Sequence, residues 1–158
     1  IGLIADSERK NHIWYCKRLI EASQNKDIEV YVSTIAVTEC LCIRDDNRRK
    51  ILDDEVKRLF SSILLSGKSG IIPVQPEYNI IKRARDLYWI DGINLKPLDS
   101  IHIASAIEVG CSEFITTDRK CFENIVEKLA QLGLTILFSA SLTKCLPDIY
   151  RQQTINVS

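Results

Sequence analysis

The stretch Ser112–Phe138, SEFITTDRKCFENIVEKLAQLGLTILF, carries the pattern from which the architecture is built outward. Its opening, SEFITT, is β-branched and apolar and closes on the polar Asp118, as a short strand does. RKCFENIVEKLAQLG then reads as a helix with a glycine stop at Gly133. LTILF is a second strand. Two strands joined by a helix cannot be a hairpin, so the second strand is expected to return parallel to the first.

The same alternation recurs upstream. Leu95–Gly110, LKPLDSIHIASAIEVG, reads as a helix opened by Asp99 and apolar on almost every side, so it should be buried. Ala104, Ser105 and Ala106 keep it slim enough for a close neighbour. Pro76 and Glu77 open an amphipathic helix through Trp89. GIIPV before it is a short buried strand, with Pro73 marking an edge or a strand end. A longer helix is expected around Arg49 to Leu65, closed by SGKSG. IEVYVST alternates as a strand, and Thr34 caps a helix IAVTECLCI that runs to the charged break RDDNRR. Ile1 to Ala5 is apolar and is followed by a polar turn, DSERKN. From His12, Ile13, Cys16, Leu19 and Ile20 recur at helical spacing. Strands alternating with helices over connections too long for hairpins predict an α/β fold with a mostly parallel sheet flanked by helices. Without repeats, low-complexity tracts or linkers, residues 1–158 are expected to form a single domain with a peripheral tail from Ser139.

Composition narrows the function. The 158 residues are 46% apolar and 27% charged, as in ordinary globular domains. Lysine plus arginine equals aspartate plus glutamate at 21 each, so any nucleic-acid contact must rest on a local patch rather than on net charge. The six cysteines, Cys16, Cys40, Cys42, Cys111, Cys121 and Cys145, are irregularly spaced and mostly embedded in apolar segments. Cys40 and Cys42 have no second pair at zinc-ligand spacing, so free thiols and a cytoplasmic setting are expected. No apolar run approaches the ~18–20 residues that cross a bilayer.

Three acids map to the carboxyl edge of the predicted sheet, where open α/β sheets place their sites. Glu39 lies just after the strand IEVYVST, Asp118 follows FITT, and Asp99 opens the buried helix. Each has an ordinary reading: Asp99 and Asp118 as helix N-caps, Glu39 as a solvated helix position. Brought together, the three would repel one another and suit a hard, oxygen-seeking cation such as Mg²⁺ or Mn²⁺. Such an ion supports phosphodiester chemistry.

STIAVTE, LKPLDSIHIASA and FITTDRKCF, in this order, resemble the PIN-domain family, and within it the VapC-like toxin ribonucleases. The resemblance runs from about Ile1 to Phe138. It implies a three-layer α/β/α sandwich with a central, mostly parallel sheet. It also implies a Mg²⁺- or Mn²⁺-dependent endoribonuclease, frequently a homodimer, blocked in toxin members by a cognate antitoxin. By that resemblance Asp99, Glu39 and Asp118 are catalytic metal ligands, and Thr116 orients the acidic site. One departure stands out. The family carries a further aspartate just before an apolar segment like IGLIA, a position that here would precede Ile1, and Asp6 does not replace it. With no methionine and an apolar beginning, the sequence reads as lacking its natural start. The 158 residues alone would then have an incomplete ligand set and weak or no catalysis.

Other residues receive quieter readings. His102 is expected to be packed or hydrogen-bonded rather than a general base, because metal-activated water needs no imidazole. His12 is expected to be solvated. Lys96, Arg119 and Lys120 flank the acids and are candidates for contact with RNA phosphates. The mixed run RDDNRRK is a solvated helix end, and Trp14, Tyr88 and Trp89 belong to core or interface. The alternative to a nuclease is a catalytically impaired PIN-like scaffold that binds RNA or protein. A small-molecule-binding α/β domain is disfavoured, since no glycine-rich phosphate loop is present.

Overall fold

The computed structural model describes residues 6–39, 43–44, 50–51, 54–64, 66 and 69–152. The run IGLIA, Cys40, Cys42 and positions 45–49 of the charged run lie outside them.

The chain enters through helix α1, Asp6–Gln24, so DSERKN forms its first turns instead of a separate turn. Glu8 in its first turns suits the positive pole of the helix dipole. Strand β1 (Val30–Ser33) follows, then the short helix α2 (Ile35–Glu39). The helix predicted through Ile43 does not reach that far. Ile43–Arg44 is a strand, β2, antiparallel to β3 (Lys50–Ile51), and helix α3 starts only at Asp54 and ends at Leu64. Helical periodicity there concealed β-branched residues, Ile43 and Ile51, that stand opposite each other in register.

Strand β4 (Ile71–Val74) lies parallel to β1, with Val30 opposite Ile71 and Ser33 opposite Val74. Pro73 fits because β4 pairs only with β1 among the described residues, which makes it an edge strand. Helices α4 (Tyr78–Trp89) and α5 (Pro97–Glu108) pack closely against each other, as the small residues of α5 allow. Strand β5 (Glu113–Ile115) and strand β6 (Thr135–Leu137) are parallel, as expected. The single helix predicted between them is three pieces: α6 (Arg119–Phe122), a 3-10 turn (Glu123–Ile125) and α7 (Val126–Gln131). The structure is thus an α/β sandwich with parallel strands, flanked by helices. The parallel strands do not join into one sheet among the described residues. They form two pairs, β1–β4 and β5–β6, with a cavity between them.

Helix α5 sits at the centre of the main core. Ile103 and Ala104 are fully buried with Leu87 of α4, Leu129 of α7 and Leu134. Each large apolar side chain so buried is worth ~1.5–3 kcal/mol. The second core corrects the expectation of a peripheral tail. Ala140, Leu146 and Tyr150, on a 3-10 turn (Ala140–Leu142) and around helix α8 (Asp148–Arg151), pack against Leu19 and Ala22 of α1. His12, expected to be solvated, is half-buried, and its Nδ1 accepts a 3.0 Å bond from the Ala140 N–H. Of the aromatics assigned to core or interface, Tyr88 and Trp89 are exposed on α4 and so lie outside the core, and Trp14 is half-buried beneath the Arg18 guanidinium. No helix among the described residues is long and apolar enough to cross a membrane.

Candidate metal centre

Asp99 is not the start of its helix. Pro97 occupies the first turn of α5 with Lys96 at the cap position, and the Lys96 side chain makes no capping bond. Asp99 therefore lies inside the first turn, where its charge meets the helix dipole while its carboxylate remains available to other elements. It is half-buried, and its Oδ2 accepts from the Cys121 thiol at 3.0 Å.

Asp118 keeps its ordinary reading as well. It caps α6, its Oδ1 accepting from the Cys121 backbone N–H at 3.1 Å. Its own N–H donates to Thr116 Oγ1 at 3.1 Å, which braces the turn between β5 and α6. One residue, Cys121, thus touches carboxylates from two elements. Burial and the Asp99 hydrogen bond push the Cys121 thiol up to about 11, so it stays protonated and donates. Asp99 Oδ1 and Asp118 Oδ2 have no hydrogen-bond partner among the described residues.

Glu39, at the end of α2, is held differently. Its Oε2 lies 2.8 Å from His102 Nε2, so a hydrogen bond there requires the proton on that nitrogen. His102 is 15% exposed on its side chain and Glu39 43%, which places the pair at the rim rather than in the core. His102 is hydrogen-bonded, as its sequence context suggested, and stands on α5 one turn from Asp99. Through it, α2 is tied to the helix that carries the central acid.

The donor chemistry suits a hard divalent cation: two carboxylates converge on one residue, each with an oxygen to spare. Mg²⁺ commonly takes only one or two carboxylates and keeps several waters. The described residues nevertheless do not gather three or more His, Cys, Asp or Glu side chains into a metal-holding group. Among the basic candidates, Lys96 is exposed and close enough to Cys121 to act on it electrostatically. Lys120 is exposed, while the Arg119 guanidinium lies 4.7 Å over the Phe138 ring. Sequence reasoning missed Cys121. The Asp-x-x-Cys spacing marks a capped turn, but nothing local announces a thiol reaching Asp99.

The cavity between the two strand pairs is lined in part by His102, Thr116 and Thr117, neighbours of the acids, while Glu39, Asp99 and Asp118 themselves do not line it. Against known protein families, residues 1–128 match the model described as PIN domain. Neither the curated proteins nor the solved structures yield a match.

Proposed function

This chain belongs to the PIN-domain family, and on that premise we propose that it is a metal-dependent endoribonuclease hydrolysing RNA phosphodiester bonds, the toxin of a toxin–antitoxin pair. Proteins of this family are generally nucleases that use divalent metal ions. The observation that carries the reading is the meeting of Asp99 and Asp118 at Cys121, each with one oxygen free.

In this reading Asp99 and Asp118 hold Mg²⁺ or Mn²⁺, and Glu39 joins them directly or through water. When bound, such a cation supplies Lewis-acid stabilisation of phosphate charge and a more acidic water. Thr116 keeps Asp118 in place through the turn it braces. Lys96 and Lys120 position the RNA backbone without reading its sequence, and Arg119 joins them if it leaves Phe138. The partners are an RNA substrate, a cognate antitoxin and a second copy of the chain. The four cysteines among the described residues, Cys16, Cys111, Cys121 and Cys145, are free thiols, which supports a reducing, cytoplasmic setting. The chain acts as a single domain, with residues 139–152 of the tail packed into it.

A specific observation favours the second reading, a PIN-like scaffold that binds RNA or protein without cutting. Glu39 is engaged by His102, and three ligands do not gather among the described residues. RNA cleavage with Mg²⁺, Mn²⁺ or EDTA separates the two, assayed in a chain extended upstream of Ile1 to carry the family's first aspartate. Cation-dependent cleavage is expected, falling more than about a hundredfold in Asp99→Asn, since even outer partners of a metal site count for 10–100-fold. Near wild-type cleavage by Asp99→Asn would remove the metal-holding role. Metal-independent RNA binding without cleavage would establish the scaffold.

A further inference from the structure

With Asp118 as the cap of α6, Cys121 stands at the third position of a capped turn. A backbone N–H there has no partner inside the helix and turns to the cap, here Asp118 Oδ1 at 3.1 Å. The next residue, Phe122, is 3% exposed, and its ring lies 5.6 Å from that of Phe114 on β5, which fixes how α6 is rotated. Cys121, itself packed against the main core, presents its thiol to α5, where Sγ donates to Asp99 Oδ2 at 3.0 Å. Both acids thus carry a donor on one oxygen, and both donors belong to Cys121.

What a carboxylate offers a cation depends on how many of its oxygens are free. It grips bidentately when the cation can sit across both. A proton donor held against one oxygen competes for its lone pairs and draws off part of its charge. Asp99 is left with Oδ1 and Asp118 with Oδ2, neither of them hydrogen-bonded among the described residues. Mg²⁺ takes single oxygens at octahedral corners and keeps several waters. Ca²⁺ collects roughly 6–8 oxygens and reaches that number with the help of bidentate carboxylates.

We propose, resting on Asp99 and Asp118 as metal ligands, that Cys121 decides which cation this centre accepts: its thiol and its N–H limit the two acids to single-oxygen contacts, which favours Mg²⁺ over Ca²⁺. Cys121 is then a positioning residue, acting on the cation through the two carboxylates. Its two contacts are separable by substitution. Truncating the side chain removes the bond to Asp99 and leaves the backbone bond to Asp118 in place. Asp99 would then have both oxygens to give, and Ca²⁺ gains more from that than Mg²⁺ does.

Mn²⁺ binding, followed by the loss of the free-ion EPR signal on adding the full chain, supplies the test. The bound Mn²⁺ is displaced with Mg²⁺ and with Ca²⁺, and the ratio of the two midpoints is compared across variants. Cys121→Ala should shift that ratio toward Ca²⁺ by about tenfold or more, within the range that partners of metal ligands reach. Cys121→Ser, whose hydroxyl can donate to the same oxygen, should keep the parent ratio. Should the alanine variant not fold, Cys121→Val fills the space without a donor and carries the same expectation. The parent ratio in the variant without a donor, with Mn²⁺ still bound, would overturn the proposal and leave the metal-holding reading standing. A serine variant that shifts as far as alanine would also overturn it. Mn²⁺ that does not bind the parent, or that binds Asp99→Asn equally well, would overturn the metal-holding reading and the proposal with it.

Discussion

Cys16 shows how a side chain unremarkable in sequence acquires a property from its surroundings. It lines the cavity from α1 with its Sγ 3.5 Å from His12 Nε2, and burial pushes its thiol above the ordinary 9.0. Cys111 is raised too, by burial first and then by Cys145 and Glu29. A group held more protonated in the folded chain contributes stability in full below its unfolded value and loses it as pH rises through the folded one. Urea midpoints should therefore fall once the pH passes about 9, where unfolded thiols ionise first. Cys16→Ala should show a smaller alkaline decline than the parent. An identical decline in both would mean that this thiol does not contribute. Asp99 and Asp118 make the same point from the other side: each behaves locally as an ordinary helix-start acid, and only Cys121 brings them together.

Among the elements, local signals were most reliable where one preference dominated. The β-branched stretches became β1, β4, β5 and β6 within a residue or two, and Gly133, at φ +84°, ends α7 as its position suggested. Prediction failed where two preferences competed. The segment after Asp118 is helical in composition, yet it breaks at Glu123–Ile125 into a 3-10 turn as Phe122 is drawn into the core. Gly70, read from sequence as the head of the strand GIIPV, instead forms the junction just before β4. It has φ +82°, and an added Cβ would lie 2.7 Å from Gln24 Cγ and 3.0 Å from the Ile20 carbonyl, while Ser23 Oγ donates to the Gly70 carbonyl. Gly70→Ala should therefore cost about 2 kcal/mol or more, combining backbone strain with a clash between α1 and the start of β4. Chemical denaturation measures it, and a loss near zero would show that the junction adjusts freely.

Across the whole molecule, the tail is where expectation and structure part furthest. Leu146 is 1% exposed among Leu19, Ala22, Ala140 and Tyr150, and Asn25 donates to the Tyr150 hydroxyl at 2.8 Å. Leu146→Ala should destabilise the chain by about 2–5 kcal/mol, as large-to-small changes in a closed core do. A loss below 1 kcal/mol in equilibrium urea unfolding would return the tail to the periphery. The α/β class, the parallel strands and the identity of the candidate acids were all present in residue order, because periodicity, β-branching and helix-end chemistry act over a few neighbours. The pairing of Glu39 with His102, the thiol between Asp99 and Asp118, the burial of Ala140, Leu146 and Tyr150 and the cavity between the two strand pairs were not. Each joins residues far apart in the chain, and such contacts follow from how helices and strands pack in space, which no local preference encodes.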